Sequence, residues 1–458
     1  MSYERKRFGR VRSGIGRVAR AARERINQRR GHLVTQPAII IRRTVQRRAV
    51  ITGLGAVTCL GLNVPVMWEG LINGRSGIAR VTGFDVSTIP VKIAGQVREF
   101  TRSTLVEPKE ARRMARASHL ALSAAEEALG DSGIRIGRDV KPERTAVIMG
   151  TAIGGFEMSY GAMKEYETLG YRKVNPFGLP AALPNAPGHH ISKYFNAKGP
   201  LSTVVAACAS GTQTVGDALE LIRRGRSDLV FAGGVDSVFI DGALVAFSLM
   251  RVLASKYNDI PGQAARPFDV TRDGFCYSEG AAVLMIEDYD HAMARGARIY
   301  AEVLGMGVSS DAHHIAIPDP TASGAIRAME WALEDAHLSP GDIQYVNAHG
   351  SGTQTNDPLE TRAIKKVLGQ HAYSVPLNSI KSMMGHAMGA SGAIEAMSTA
   401  LTIKHGIIPP TINLETPDPE CDLDYVPKVA RRATIDIALS NSFGLGGQNA
   451  TIALGRVS

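Results

Sequence analysis

The chain has 458 residues, 44% of them hydrophobic and 21% charged, which excludes disorder along its whole length and fits either two domains or one large duplicated domain. Its net charge of +9 is unevenly placed, because residues 1–46 carry +11 and the rest of the chain carries −2. No apolar run approaches the roughly 20 residues that span a bilayer, so we expect no transmembrane segment.

The first 46 residues form a strongly basic segment. They contain 13 Lys or Arg residues against Glu4 and Glu24. Apolar residues recur at helical spacing from Ile15 to Ile26 with arginines between them, which indicates a basic amphipathic helix. We expect a flexible or helical extension. Its role is open between an organelle transit peptide, contact with an anionic membrane and, least favoured, contact with nucleic acid.

The folded part is expected to open with a short strand that runs into the turn Gly53-Leu-Gly55. This turn lacks the third glycine of the dinucleotide-binding fingerprint, where Thr58 stands, so a dinucleotide enzyme is not expected. Helices and strands then alternate. Residues 124–134 are typical of the end of a helix, and residues 145–150 are typical of a buried strand that leads into a glycine-rich loop.

The same order of elements occurs twice in the chain. Residues 328–338 match residues 124–134 at five of eleven positions, and a strand follows each segment. We therefore expect an α/β protein made of two duplicated halves, residues 47–297 and 298–458, after the basic extension 1–46. Functional sites in such folds collect in the loops at strand ends.

Cys208 follows an apolar strand and a tight turn of small residues, at the start of an expected helix. The positive end of the helix dipole favours the thiolate, the form in which cysteine is a nucleophile. An isolated cysteine is more often a small core residue, so its neighbours must decide. No two cysteines have the CxxC spacing of a zinc site, and a disulfide framework is not indicated, which favours a reducing compartment and no metal. The others are Cys59, Cys276 and Cys421.

Two histidines lie in glycine-bounded loops after expected strands. His349 lies in the segment that ends at Thr353, and His386 follows Lys381 by five residues. A nucleophilic cysteine with two such histidines forms a site that binds an acyl group and stabilises an enolate. Glu395, on an expected helix, is a partner for Lys381 in an ion pair beside this site.

Taken together, these segments resemble the β-ketoacyl-acyl carrier protein synthases of thiolase-like fold, most closely the elongating type II enzyme of fatty-acid synthesis. The resemblance extends from about residue 47 to the end of the chain. It implies two α/β halves with central mixed sheets in an α-β-α-β-α layering. The ordered motifs that carry it are the Cys208 strand, turn and helix, Asn347-Ala-His-Gly, Lys381-Ser-Met-Met-Gly-His386, Pro409-Pro-Thr-Ile-Asn413, Cys421-Asp-Leu-Asp-Tyr-Val-Pro427 and Asn441-Ser-Phe-Gly-Leu-Gly-Gly447.

The resemblance also implies a role for each site residue. Cys208 accepts the acyl group, and His349 and His386 hold the malonyl thioester while its carboxylate leaves as carbon dioxide. The N–H groups of Cys208 and Leu445 form the oxyanion hole, with Phe443 in the same gate loop. The reaction is a decarboxylative Claisen condensation that lengthens a fatty acyl chain by two carbons.

Further implied features concern the supporting residues and the partners. Lys381 pairs with Glu395 to set the field around His386, while Ser351 and Thr353 contact the phosphopantetheine arm. This arm arrives on the substrate, an acyl carrier protein loaded with an acyl or malonyl group, so no separate cofactor is expected. A homodimer is also implied.

A basic surface is expected to receive the acidic carrier protein. Lys109, Arg112, Arg113 and Arg116 have the spacing of one helix face, and Arg251 occupies a further position that matches the family's docking residues. Without the family resemblance, a run of charged residues like this one would be interpreted as an ordinary solvated surface.

Departures from the family pattern leave alternatives open. Leu445 replaces a usual phenylalanine in the gate, which leaves chain-length preference and the order of substrate entry open, and Ser351 and Ser278 replace a usual threonine and glycine. A type II polyketide ketosynthase shares almost all the motifs. A non-catalytic chain-length partner would lack the nucleophile, and a thiolase would use two cysteines and one histidine.

Overall fold

The computed structural model describes residues 46–237 and 240–457. The predicted basic extension lies outside these residues except for Gln46. The strands of the described residues are β1 (Ala49–Thr58), β2 (Ala79–Arg80), β3 (Ile93–Ala94), β4 (Thr145–Gly150), β5 (Leu201–Val204), β6 (Leu229–Asp236), β7 (Gly280–Asp288), β8 (Ala301–Ser310), β9 (Tyr345–Asn347), β10 (Leu377–Asn378), β11 (Ile407–Ile408), β12 (Arg431–Arg432), β13 (Ile437–Gly444) and β14 (Gln448–Gly455).

Helices occupy most of the connections between these strands. Short 3-10 turns at Ala207–Ala209 and Met388–Ala390 lead directly into two of them. The α-helices in the described part are α1 (Val64–Ile72), α2 (Pro108–Ala111), α3 (Arg116–Ser132), α4 (Phe156–Leu169), α5 (Gly178–Ala182), α6 (Ala186–Phe195), α7 (Ser210–Arg223), α8 (Asp241–Leu249), α9 (Tyr289–Ala294), α10 (Ser323–Asp335), α11 (Asn356–Leu368), α12 (Lys381–Met384) and α13 (Ser391–His405).

The main sheet shows the duplication directly. Its strand order is β10-β9-β13-β14-β8-β1-β7-β6-β4-β5. When the main-sheet strands of each half are counted in chain order, they lie third, second, fourth, fifth and first from the edge of the sheet to its centre. In both halves the two pairings nearest the edge are parallel and the next two are antiparallel. The halves join where the antiparallel strands β1 and β8 pair over three residues, from Ala49 opposite Val303 to Ile51 opposite Ala301.

Helices α7 and α13 form the central layer between the two halves of the sheet. Helix α13 is buried on all sides from Ser391 to Ile403, whereas an ordinary surface helix buries one stripe. Helix α3 packs on the outer face of the first half, and α10 packs on the outer face of the second. These contacts give the five layers α-β-α-β-α, so the predicted fold class is confirmed.

Local elements largely match the sequence predictions. The strand predicted at residues 145–150 has those bounds, and the first helix of the predicted repeat ends at Ser132. The division at residue 297 stays a prediction, although the second set of strands begins at Ala301. No helix in the described ranges is both long enough and apolar enough to cross a membrane.

Candidate active site

Cys208 lies in a turn that aims it between the two halves of the molecule. The preceding residue, Ala207, has a φ of 48°, a left-handed conformation that is costly for a residue with a Cβ. Ser210 stabilises the turn, because its Oγ accepts the Ala206 N–H at 2.8 Å and donates to the Ala207 carbonyl at 2.7 Å. The thiol is therefore presented at the start of α7, as the sequence predicted.

Burial dominates the acidity of this thiol. The side chain is only 5% exposed, and desolvation raises the pKa of Cys208 to about 11. The Leu445 N–H and the Lys381 charge lower this pKa by smaller amounts. Burial therefore opposes the effect expected of the helix start, and the pKa of the thiol in the free protein lies above its usual value.

His349 and His386 face each other across the floor of the same cleft. Their ring centroids are 5.4 Å apart at an interplanar angle of 81°. Burial lowers the pKa of both imidazoles well below the usual value, and the Lys381 charge lowers it further, so both are neutral at physiological pH. His386 Nδ1 lies 2.8 Å from Ser391 Oγ.

The tautomer of His349 follows from its partner. Lys381 Nζ lies 3.5 Å from His349 Nδ1 and donates to the His349 carbonyl at 2.7 Å. Because an ammonium group only donates, Nδ1 is the unprotonated nitrogen and the ring proton is on Nε2. His349 therefore has an N–H donor on the side of the ring away from Lys381.

Lys381 and Glu395 form an ion pair behind the histidines. Both side chains are almost fully buried, and Lys381 Nζ donates to Glu395 Oε1. Burial raises the pKa of Glu395 to about 7, against the lowering effect of the Lys381 charge. Besides Glu395, Lys381 contacts the ring and the carbonyl of His349, and its charge also lowers the pKa of His386.

Two buried carboxylates that the sequence analysis did not identify support the loops of the site. Glu360 accepts the N–H groups of His349 and Gly350, each at 2.7 Å. Asp236 accepts the N–H of Gly389 at 2.6 Å, and it also accepts the Thr151 hydroxyl and two further N–H groups of the following loop. No local motif marks either residue, because each acts on backbone that is distant in space until the chain folds.

A cleft of about 370 Å³ connects the nucleophile to the surface. Ser351 and Thr353 line it with their hydroxyl oxygens 3.1 Å apart, and the exposed Arg251 lies on it too. Lys381 and Glu395 are not among the lining residues. The predicted site residues that line it are Cys208, Arg251, His349, Ser351, Thr353, His386, Phe443 and Leu445.

The predicted basic helix face is only partly present. Lys109, Arg112 and Arg113 are exposed, but α2 ends at residue 111 and α3 begins at Arg116. Arg116 is instead paired with Glu279 at 2.8 Å. The prediction of one continuous face that includes Arg116 is wrong, because the chain turns between the two helices.

Family comparisons match this architecture. A model described as β-ketoacyl synthase, N-terminal domain, matches residues 46–292, and the corresponding C-terminal domain model matches residues 300–415. The chain belongs to the β-ketoacyl synthase family.

Curated relatives of this β-ketoacyl synthase carry a more specific name. The 3-oxoacyl-[acyl-carrier-protein] synthase 2 of Synechocystis sp. is 42% identical over 89% of this chain and 98% of its own length. The protein of the same name from Coxiella burnetii is 43% identical over 90% of this chain and 99% of its own length. The predicted family and its elongating subtype are confirmed.

Solved structures of similar fold include a β-ketoacyl synthase, a ketosynthase/chain length factor and a type II polyketide ketosynthase. A β-ketoacyl synthase from Burkholderia phymatum has a TM-score of 0.84 at 35% identity, and it covers 90% of this chain and all of its own. The ishigamide ketosynthase/chain length factor has a TM-score of 0.84 at 34% identity with the same coverage. A type II polyketide ketosynthase bound to its acyl-carrier protein has a TM-score of 0.83 at 33% identity, again with the same coverage.

Proposed function

We propose that this chain is a 3-oxoacyl-acyl carrier protein synthase that elongates a fatty acyl chain by two carbons. The observation that carries the proposal is the convergence of Cys208, His349 and His386 on one cleft. The curated relatives named 3-oxoacyl-[acyl-carrier-protein] synthase 2 support the same substrate class.

The first half-reaction transfers the acyl group to Cys208. A bond forms between Sγ and the thioester carbonyl carbon, the bond from that carbon to the pantetheine sulfur breaks, and the thiol proton leaves with the pantetheine thiol. The Cys208 and Leu445 N–H groups stabilise the oxyanion that develops on the carbonyl. The contact between the Leu445 N–H and the Cys208 sulfur in the free protein supports this placement.

In the second half-reaction, malonyl-carrier protein loses carbon dioxide, and the resulting enolate attacks the acyl group on Cys208. A carbon–carbon bond forms to the acyl carbon, the bond from that carbon to Sγ breaks, and the released Cys208 thiolate takes up a proton from solvent. His349 donates from Nε2 to the enolate oxygen, because Lys381 keeps the proton off Nδ1. His386 donates in the same way when Ser391 donates to its Nδ1. The electron pair released by the breaking carbon–carbon bond supplies the nucleophile, so we propose that bond formation needs no metal or separate cofactor.

The carrier protein would dock on the exposed basic residues, of which Arg251 lines the cleft. Lys109, Arg112 and Arg113 form an exposed basic surface, and Arg251 adds a charge at the cleft. An acidic partner is attracted to such surfaces, and Ser351 and Thr353 would hold the pantetheine arm inside the cleft. We also propose that the chain forms a homodimer.

The test is intact-protein mass spectrometry with acyl-carrier protein and then malonyl-carrier protein, over several acyl lengths. We expect the wild type to gain one acyl group and release a product two carbons longer, and Cys208→Ala to gain none. Cys276→Ala is a matched control, because Cys276 is also buried but is not among the cleft residues. No adduct at any length in the wild type would contradict the proposal, and an adduct only with polyketide intermediates would assign the chain to a polyketide pathway.

A further inference from the structure

A line of buried hydroxyl groups connects the nucleophile helix with the ion pair behind His349. Thr212 lies on α7, four residues after Cys208, and Ser442 lies on β13. Their side-chain oxygens are 2.7 Å apart, and Ser442 Oγ lies 3.4 Å from Glu395 Oε2. Thr212 and Ser442 have no solvent exposure.

The chemistry of these groups fixes the direction of the hydrogen bonds. An ionised carboxylate only accepts, so the single hydroxyl proton of Ser442 is donated to Glu395. Ser442 must then accept from Thr212, whose hydroxyl therefore sets the orientation of the whole line. The other carboxylate oxygen, Oε1, is taken by Lys381.

Close packing prevents water from replacing the Thr212 hydroxyl. Gly392 of α13 faces it so tightly that a Cβ on this glycine would lie 2.2 Å from Thr212 Oγ1 and 3.0 Å from Ser442 Oγ. A bridging water needs room for about one probe sphere and at least two polar partners. The contact with Gly392 leaves no such room, so only a side chain at position 212 can supply this hydrogen bond.

We propose, on the basis of the function proposed above, that Thr212 is a positioning residue that acts through Ser442 to hold Glu395 ionised and paired with Lys381. Lys381 in turn contacts the carbonyl and ring of His349. The helix that carries the nucleophile is thereby coupled to the loop that stabilises the enolate.

The consequence is a pH effect with a defined sign. Burial raises the pKa of Glu395 to about 7, and the charge of Lys381 and the hydroxyl of Ser442 oppose that rise. Loss of the Thr212 hydroxyl weakens the opposition, so the pKa of Glu395 rises further and its carboxylate is protonated at a higher pH. The titratable and charged groups around this carboxylate are Lys381, His349, Tyr345, Cys208 and, through Lys381, Glu360.

The test compares three substitutions on one helix. Thr212→Val keeps the volume and removes the hydroxyl, and Thr212→Ser restores the hydroxyl. Thr214→Val is the matched control, because the Thr214 hydroxyl is also buried but donates to the carbonyls of Gly211 and Gly233.

The first measurement is the rate of malonyl-carrier protein decarboxylation between pH 5.5 and 9. We expect the acidic limb of the profile of Thr212→Val to move to higher pH by about half a unit to one unit, from the loss of the hydrogen bond that orients the Ser442 hydroxyl toward the Glu395 charge. Thr212→Ser and Thr214→Val should keep the wild-type limb. Superimposed profiles for Thr212→Val and wild type would overturn the proposal.

The second measurement, thermal unfolding at pH 5.5 and 8.5, does not depend on activity. A carboxyl group whose pKa is raised by folding contributes stability below its unfolded pKa and loses it as the pH rises through the folded pKa. Thr212→Val should therefore lose about 1 °C more in Tm at pH 8.5 than at pH 5.5, whereas Thr214→Val should lose equally at both. Equal losses for Thr212→Val, or no rescue by Thr212→Ser, would overturn the proposal.

These readouts separate the inference from the proposed function. A wild-type protein that decarboxylates nothing would contradict the function, and the unfolding experiment would still decide the role of Thr212. An active wild type whose pH profile and unfolding are both insensitive to the hydroxyl would contradict the role of Thr212 alone.

Discussion

Cys208 follows a residue with a strained backbone conformation, and its thiol is protonated in the free protein. Its neighbour Ala207 has positive φ, and burial raises the pKa of the thiol to about 11. A protonated thiol is a weak nucleophile toward adventitious electrophiles. Reactivity in the proposed cycle therefore depends on the bound thioester and on the donors around it.

This state predicts the pH dependence of chemical modification. Alkylation of Cys208 by iodoacetamide should accelerate about tenfold per pH unit between pH 7 and 9, because the thiolate fraction grows in that proportion below the pKa. Lys381→Met should slow the reaction, since the Lys381 charge lowers the pKa of the thiol. Peptide mass spectrometry measures the rate. A plateau below pH 8 would contradict the protonated resting state.

Substitution of His349 should slow one half-reaction much more than the other. Its Nε2 proton would serve the enolate, so His349→Ala should lower malonyl decarboxylation by about 10²–10³-fold, the usual effect of removing one oxyanion donor. Acylation of Cys208 should stay within a few-fold of wild type. Single-turnover assays of each half-reaction provide the measurement. His371→Ala is a control at a partly buried histidine outside the cleft, and equal loss of both half-reactions would argue for misfolding instead.

At the scale of single residues, the sequence identified reactive side chains that lie in the loops at the ends of expected strands. Cys208, His349 and His386 were predicted from strand-end loops, and the structure brings them together. Glu360 and Asp236 were missed because their function is to accept backbone N–H groups. Such contacts depend on tertiary geometry and leave no periodic or compositional pattern.

Among the elements, the two central helices begin in the same way. Ala207 and Met388 both have a φ of 48°, and each opens a 3-10 turn before a buried helix. The segments Ala209-Ser-Gly211 and Ala390-Ser-Gly392 share their residues, so the sequence contained a second sign of the duplication that was not used. Gly389 occupies in one turn the position of Cys208 in the other, so only the first turn presents a thiol.

Substitutions of two glycines test how tightly the central helices α7 and α13 pack against each other. Gly392→Ala should destabilise the protein by about 2–3 kcal/mol, because its Cβ would lie 2.4 Å from the Thr212 nitrogen. Gly130→Ala is the control, since Gly130 is an exposed residue of α3 with no atom within 4 Å of an added Cβ. It should stabilise the protein by about 0.5–1 kcal/mol through helix propensity. Urea unfolding measures both, and similar effects of the two substitutions would contradict the packing argument.

Element boundaries were predicted less well than element types. The spacing of Lys109, Arg112, Arg113 and Arg116 fits one helix face, yet the chain forms α2, a turn and α3 there. The spacing carries no information about the ion pair that draws Arg116 toward Glu279. Periodicity predicts which residues share a face only when the helix is continuous.

At the scale of the whole molecule, the first half retains surfaces that its own fold does not cover. Strand β5 is the last strand of the main sheet, and Leu201 at its start is 44% exposed. A separate apolar cleft of about 740 Å³ includes Met163, Tyr166, Tyr171 and Leu179, all more than 60% exposed. Unpaired strand edges and large apolar patches are typical of protein interfaces.

The proposed homodimer would cover these surfaces. Two methionine-to-glutamate substitutions, one inside the apolar cleft and one outside it, test this placement of the interface. Met163→Glu places a charge in the apolar cleft and should shift the protein from dimer to monomer in analytical ultracentrifugation, because a buried unpaired carboxylate costs several kcal/mol. Met293→Glu makes the same change at another exposed helical methionine, in α9, and should leave the dimer intact. Since both positions are exposed in the single chain, neither substitution disturbs its core. Dimers of equal strength in both variants would exclude the apolar cleft from the interface, and a monomeric wild type would contradict the homodimer itself.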